Sequence, residues 1–121
     1  MIVEFIQSSY WGAGRTQQEI ETSIDHSICF GVYDGNKQVG FARVVTDQAF
    51  FGFLADVFLV EEYRGHGLGK KLVHYVMSDP RLASIRRFML ATKDAHSLYE
   101  AYGFQQLSEE DQQSLMRLVP Q

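Results

Sequence analysis

The stretch Arg64-Gly65-His66-Gly67-Leu68-Gly69 is the part of this sequence best suited to chemistry. Its glycines let a ligand come close to the backbone. It lies between a run of strand character and a run of helical character. The first turn of a helix leaves N–H groups unpaired, at the positive end of the helix dipole. A phosphate or pyrophosphate suits such a place. Two nucleotide motifs fail on spacing. A Walker A loop would need glycine where Arg64 stands and Ser or Thr where Lys71 stands, and a dinucleotide fingerprint would need its third glycine at Lys70. Lys70 and Lys71 can assist a phosphate electrostatically, although a solvated helix face is the usual place for lysine. His66 reads as a loop residue whose backbone, not its imidazole, would meet the anion.

Asp56 is the second unusual residue. It interrupts the apolar run Phe50 to Val60, where an unpaired buried carboxylate would be costly. Four histidines (His26, His66, His74 and His96) and the lone Cys29 show no metal-ligand spacing, so no metal site is expected. Cys29 sits in Ile28-Cys29-Phe30-Gly31-Val32-Tyr33 and reads as a small buried hydrophobe.

The elements that must position these residues follow from hydrophobic period and turn chemistry. Ile2 to Ile6 alternates enough to predict a first strand. Thr16 and Glu19 form a capping box for a helix with Ile20 and Ile24 on its apolar stripe. Ile28 to Tyr33 and Val39 to Val45 are strand-like and are joined by Asp34-Gly35-Asn36-Lys37, a hairpin turn. Phe50 to Val60 continues an antiparallel meander after a turn near Asp47. The polar loop Glu61 to Gly67 then leads into a helix with Leu68, Leu72 and Val76 at i, i+4 and i+8, which Ser78-Asp79-Pro80 stops. Phe88 to Ala91 reads as a buried strand, parallel to the previous one because a helix crosses between them. A helix from about Asp94 to Tyr102 follows, closed by Gly103 as a left-handed cap. Phe104 to Leu107 and Leu115 to Val119 predict a terminal hairpin around the acidic loop Ser108 to Gln113. The fold class is α+β: a mostly antiparallel sheet with one parallel β-α-β unit.

With 121 residues the chain is expected to form one domain over 1–121. A formal net charge of −4 argues against a nucleic-acid partner. No apolar run reaches the length of a membrane span and no basic-then-apolar leader opens the chain, so no membrane partner is expected. One cysteine fits a reducing compartment, and a cytoplasmic location is expected.

Two blocks together resemble a known family. Phe58 to Leu72, with Arg64, Gly67 and Gly69 meeting the pattern Arg/Gln-x-x-Gly-x-Gly/Ala, is similar to the coenzyme-A-binding segment of the GNAT superfamily of N-acetyltransferases. Leu98-Tyr99-Glu100 through Gly103-Phe104 resembles its second block, Leu-Tyr-Glu-x-x-Gly-Phe. Two positions depart from the pattern: Glu61 replaces a frequent proline, and Thr92 stands where Asn is common. The resemblance implies a GNAT-like fold and acetyl-CoA as acyl donor. It further implies transfer of acetyl to a primary amine of a small molecule or peptide; the alternative is a non-catalytic acetyl-CoA sensor. Many relatives dimerise, so a homodimer is open.

The implied cofactor-binding residues are Val57, Phe58, Leu59, Arg64, Gly65, His66, Gly67, Leu68, Gly69, Lys70 and Thr92. Acyl transfer needs a neutral amine, a stabilised oxyanion and a proton for the departing thiolate. The resemblance places backbone groups of Val57, Phe58 and Leu59 at the oxyanion, on a strand that bulges in the family. It makes Tyr99 the acid, against the alternative of a packing residue; a tyrosine of pKa about 10 keeps its proton at neutral pH. Asp56 could be a base, a structural hydrogen-bond acceptor or a group that orients a cationic substrate. Tyr10, Trp11 and Arg15 fall in the segment that closes over the acceptor in related folds and could select substrate, although Trp11 could equally be a core anchor. Arg43 could hold a substrate carboxylate or be solvated, and Tyr102 reads as core.

Overall fold

The computed structural model describes residues 1–120. Its elements, in order, are α1 (Ile2–Ser8), α2 (Gln17–Asp25), β1 (Ile28–Asp34), β2 (Lys37–Thr46), β3 (Phe51–Leu59), α3 (Leu68–Met77), β4 (Arg87–Leu90), α4 (His96–Glu100) and α5 (Glu109–Ser114). The sheet runs β1-β2-β3-β4. Its first three strands form an antiparallel meander, and β4 lies parallel to β3. The expected α+β class is what the chain adopts. The capping box is present too: the Glu19 N–H donates to Thr16 Oγ1 (3.1 Å) and the Thr16 N–H to Glu19 Oε1 (3.0 Å).

Two segments differ from expectation. Ile2 to Ile6 is helix, not strand, because the apolar positions Ile2 and Ile6 repeat at i, i+4 as well as at even spacing. Ile6 is 1% exposed, so the helical period decides the face. The terminal hairpin is also absent: Phe104–Leu107 and Leu115–Val119 have no strand pairing. The acidic segment between them becomes α5. Ser108 caps it by accepting the Asp111 N–H (3.1 Å), with Glu109, Glu110 and Asp111 complementing the dipole.

Helices cover both faces of the sheet. On one face Leu72, Val73 and Val76 of α3 and Tyr99 of α4 bury Ile28, Phe30, Ala42, Val44 and Leu54. On the other, Ile6 and Ile20 bury Phe41 and Phe58, with Phe5 stacked on Phe58 at 3.9 Å. Each buried Val, Leu, Ile or Phe among them contributes about 1.5–3 kcal/mol by leaving water.

Leu54 and Phe58 are four apart on one strand, yet they belong to opposite cores. A regular strand would put both on one face. The β2–β3 register explains the switch: Phe41 faces Phe58 and Arg43 faces Ala55, so Ala42 alone opposes Asp56 and Val57. This is a β-bulge, with Asp56 in the left-handed region at φ 54°.

The segment from Tyr10 to Arg15 is drawn against α1 through Gly12. A Cβ there would sit 2.5 Å from the Ile6 carbonyl oxygen and 2.6 Å from Ile6 Cγ2. Gly12→Ala is therefore expected to lower stability by about 1–3 kcal/mol, read as a lower urea midpoint with an unchanged slope.

Candidate active site

The parallel β3–β4 pairing ends at Leu54↔Leu90. Beyond it β3 continues to Leu59 while β4 stops, so the two chains part. The cleft between them, about 440 Å³, has Ala55, Asp56 and Val57 on one wall and Leu90, Ala91 and Thr92 on the other. Tyr10 and Trp11 close one side, and Tyr99 reaches the opening from α4. A narrow, mostly apolar slot with unpaired strand edge is suited to a thin chain carrying amide groups.

The Gly-rich loop sits at the end of β3. Gly65 and Gly67 take positive φ (80° and 79°), and a Cβ at either would meet nothing within 4 Å. Their tolerance of the left-handed region turns the chain directly into α3. Gly67 is the N-cap and offers no side chain, so no side-chain oxygen occupies the N–H groups of the first turn. Those donors remain available at the positive end of a ten-residue helix. Leu68 and Gly69 are half-buried, while His66 and Lys70 are exposed.

Two side chains hold this loop from behind. Arg64 Nε donates to the Leu59 carbonyl (3.0 Å), and Tyr63 donates its hydroxyl to Asp34 Oδ2 (2.6 Å) in the β1–β2 turn. Arg64 thus acts on its own strand end, a contact that spacing alone did not reveal. Opposite the loop, the Tyr102 hydroxyl donates to the Lys70 carbonyl (2.8 Å) and ties the end of α4 to α3. Tyr102 is therefore half-buried and polar-anchored, not simply core.

Tyr99 is 8% exposed. Burial pushes its phenol pKa up, with the nearby Asp94 charge acting in the same direction. Among the described residues no buried side-chain polar atom lacks a partner. The Tyr99 hydroxyl makes no hydrogen bond there and so is not sealed off, and the residue lines both the β3–β4 cleft and a second cavity along β4. The α4 helix that carries it is shorter than the expected 94–102, and Gly103 closes the following turn at φ 92°. Thr92 accepts the Ala95 N–H (3.1 Å) at the entry to α4, which leaves its own hydroxyl proton free to donate.

Asp56 is tied down. Its side chain is 3% exposed, and Arg15 Nη1 donates to both carboxylate oxygens (2.8 and 2.9 Å). Arg43 Nε donates to Oδ2 (2.9 Å) while Arg43 Nη1 reaches Ser27 Oγ (3.1 Å). The geometry favours the structural-acceptor role for Asp56 over a base, because both oxygens are already engaged by cations. It also joins three residues that sequence reasoning kept apart: Arg43 holds Asp56, and so does Arg15. The signal was there in an acidic residue buried in an apolar strand, which needs cationic partners. Trp11 lies under the Arg15 guanidinium (5.7 Å), and Lys93 Nζ lies over the Tyr10 ring (4.8 Å), a contact that spacing did not suggest.

The chain thus combines a mixed sheet that splits beside a bulge with a helix N-terminus that carries no side-chain cap and follows the strand beyond the split. Comparison with known proteins defines the class. The acetyltransferase (GNAT) domain model matches residues 25–106. A GNAT-family protein of Xanthomonas campestris pv. campestris is 42% identical with a TM-score of 0.90, over 98% of this chain and 84% of that one. The chain belongs to the GNAT acetyltransferase family. The uncharacterized N-acetyltransferase ycf52 of Pyropia yezoensis is 37% identical over 70 residues, 57% of this chain and 40% of its own. A protein of Clostridium acetobutylicum solved with acetyl-CoA shares the fold at a TM-score of 0.71 and 13% identity, over 98% of this chain and 87% of that one. The matches span between 40% and 62% of the lengths of the curated relatives. No helix among the described residues is long and apolar enough to cross a membrane.

Proposed function

We propose that this chain transfers an acetyl group from acetyl-CoA to a primary amine of a small molecule or peptide, in the cytoplasm. The observation that carries the reading is the bare α3 N-terminus that follows β3, taken with the β3–β4 cleft that Tyr99 lines. The residues present fit the donor. Open space over Gly65 and Gly67 and the first-turn N–H groups from Leu68 to Lys70 suit the pyrophosphate. The edge of β3 from Val57 to Leu59 and the Thr92 hydroxyl suit the amide-bearing arm. Acetyl-CoA, when bound, supplies an activated acyl group on a good leaving thiol.

The remaining steps fall to the chain. Backbone N–H groups at the bulge stabilise negative charge as it develops on the acyl oxygen. Tyr99 keeps its proton because burial disfavours the phenolate, and it delivers that proton to the departing sulfur. Tyr10, Trp11 and Lys93 border the side from which an amine would approach. With Asp56 engaged by two guanidiniums, the amine's proton leaves to water.

The test is release of free thiol from acetyl-CoA in the presence of a panel of amines: polyamines, amino acids, aminoglycosides and peptides. Amine-dependent release with acetylated product supports the enzyme. Binding of acetyl-CoA with no release for any amine would point to a sensor instead.

A further inference from the structure

We infer that the Arg15–Asp56–Arg43 cluster is a positioning device that sets the backbone of the β3 bulge and couples it to the acceptor-side segment Tyr10–Arg15. This rests on the acetyl-transfer reading above and adds to it a role for three residues that do not touch the reacting atoms.

Aspartate in the left-handed region is uncommon inside a strand, and such a conformation persists only when its surroundings fix it. Here the surroundings are two cations. Arg43 reaches Asp56 from the paired strand β2, and Arg15 reaches it from the far end of the α1–α2 connection. Both sit on the α1–α2 face of the sheet, opposite the face on which Leu54 packs. The carboxylate is thereby held toward the two guanidiniums, while Asp56 and the next residue, Val57, both border the cleft. Arg15 is only partly buried, with 35% of its side chain exposed, and it lies four residues after Trp11 with its guanidinium over the Trp11 ring. A shift of Tyr10 and Trp11 on acceptor binding would therefore be felt at the bulge through a single ion pair. The same links explain why Asp56 stands where a purely apolar strand would be expected.

Asp56→Ala removes the clamp and places a Cβ residue at positive φ, whereas Asp56→Gly removes the clamp and tolerates the φ. If the cluster positions the bulge, Asp56→Gly should retain about tenfold more kcat than Asp56→Ala, with the KM for acetyl-CoA similar in both. Arg15→Ala leaves Asp56 paired to Arg43 and serves where Asp56→Ala fails to fold. It should lower kcat at least about threefold and shift the Val57 amide resonance of the free protein, although Arg15 lies far from Val57 in sequence. Equal loss in both Asp56 variants, restored by added formate, would make Asp56 the proton acceptor and overturn the inference. Wild-type kcat and an unmoved Val57 resonance in Arg15→Ala would overturn it too. The resonance needs no acetyl-CoA. If the wild-type protein neither binds nor turns over acetyl-CoA while Arg15→Ala still moves Val57, the functional reading alone falls.

Discussion

Gly67→Asp is expected to weaken acetyl-CoA binding at least about 100-fold, about 2.7 kcal/mol, while the protein stays folded. Position 67 is open: a Cβ there meets nothing within 4 Å. Asp is among the residues that best tolerate a positive φ, and at the N-cap its carboxylate can accept the free first-turn N–H groups. The substitution therefore caps α3 with its own anion. That group occupies the donors a pyrophosphate would use and repels the phosphates as well. Calorimetric titration of the variant beside the parent, with a thermal melt to show the fold intact, measures this. Unchanged affinity in a folded variant would mean that the Arg64–Gly69 loop does not hold the ligand.

Tyr99→Phe is expected to lower kcat by about 10²- to 10⁴-fold with acetyl-CoA affinity nearly unchanged. The phenol hydroxyl has no partner to lose within the described residues, and the ring keeps its edge contact with Phe104 at 6.1 Å. What disappears is the hydroxyl that we propose donates the proton. The pH dependence has a fixed sign. Burial raises the Tyr99 pKa, so the donating, protonated form persists above the ordinary tyrosine value of about 10. No loss of rate through Tyr99 is then expected as pH rises to about 10, and any limb it causes lies above that. Equal kcat in Tyr99→Phe would remove it from the chemistry and leave the packing role.

Tyr99 was singled out by the resemblance of Leu98-Tyr99-Glu100 to the family's second block, whereas Gly67 was legible from a local motif in which a few adjacent residue types determine the backbone, as at the turn into α3. The meander, the crossover helix and the capping box were legible for the same reason, since hairpin turns and caps are short-range. The bulge was not. It depends on how β3 registers against β2; the family resemblance implied a bulge on this strand, and among the residues themselves only the buried Asp56 hinted at it. The clamp was harder still, because Arg15 and Arg43 lie 41 and 13 residues from Asp56 along the chain. At the termini, short apolar runs misled. Ile2–Ile6 satisfies two periods at once, and the packing of Ile6 chooses the helical one. In Leu115–Val119, Met116 and Leu118 are 97% and 92% exposed, so apolar residues spaced for a strand do not bury a strand face there.

On the proposed reading, the α3 N-terminus and the β3–β4 cleft together bind acetyl-CoA. The most direct measurement is isothermal titration of the wild-type protein with acetyl-CoA, with desulfo-CoA and ATP as controls. Saturable, one-to-one binding of acetyl-CoA and desulfo-CoA with no heat from ATP is the predicted result. Absence of binding by acetyl-CoA, or equal binding by ATP, would contradict it.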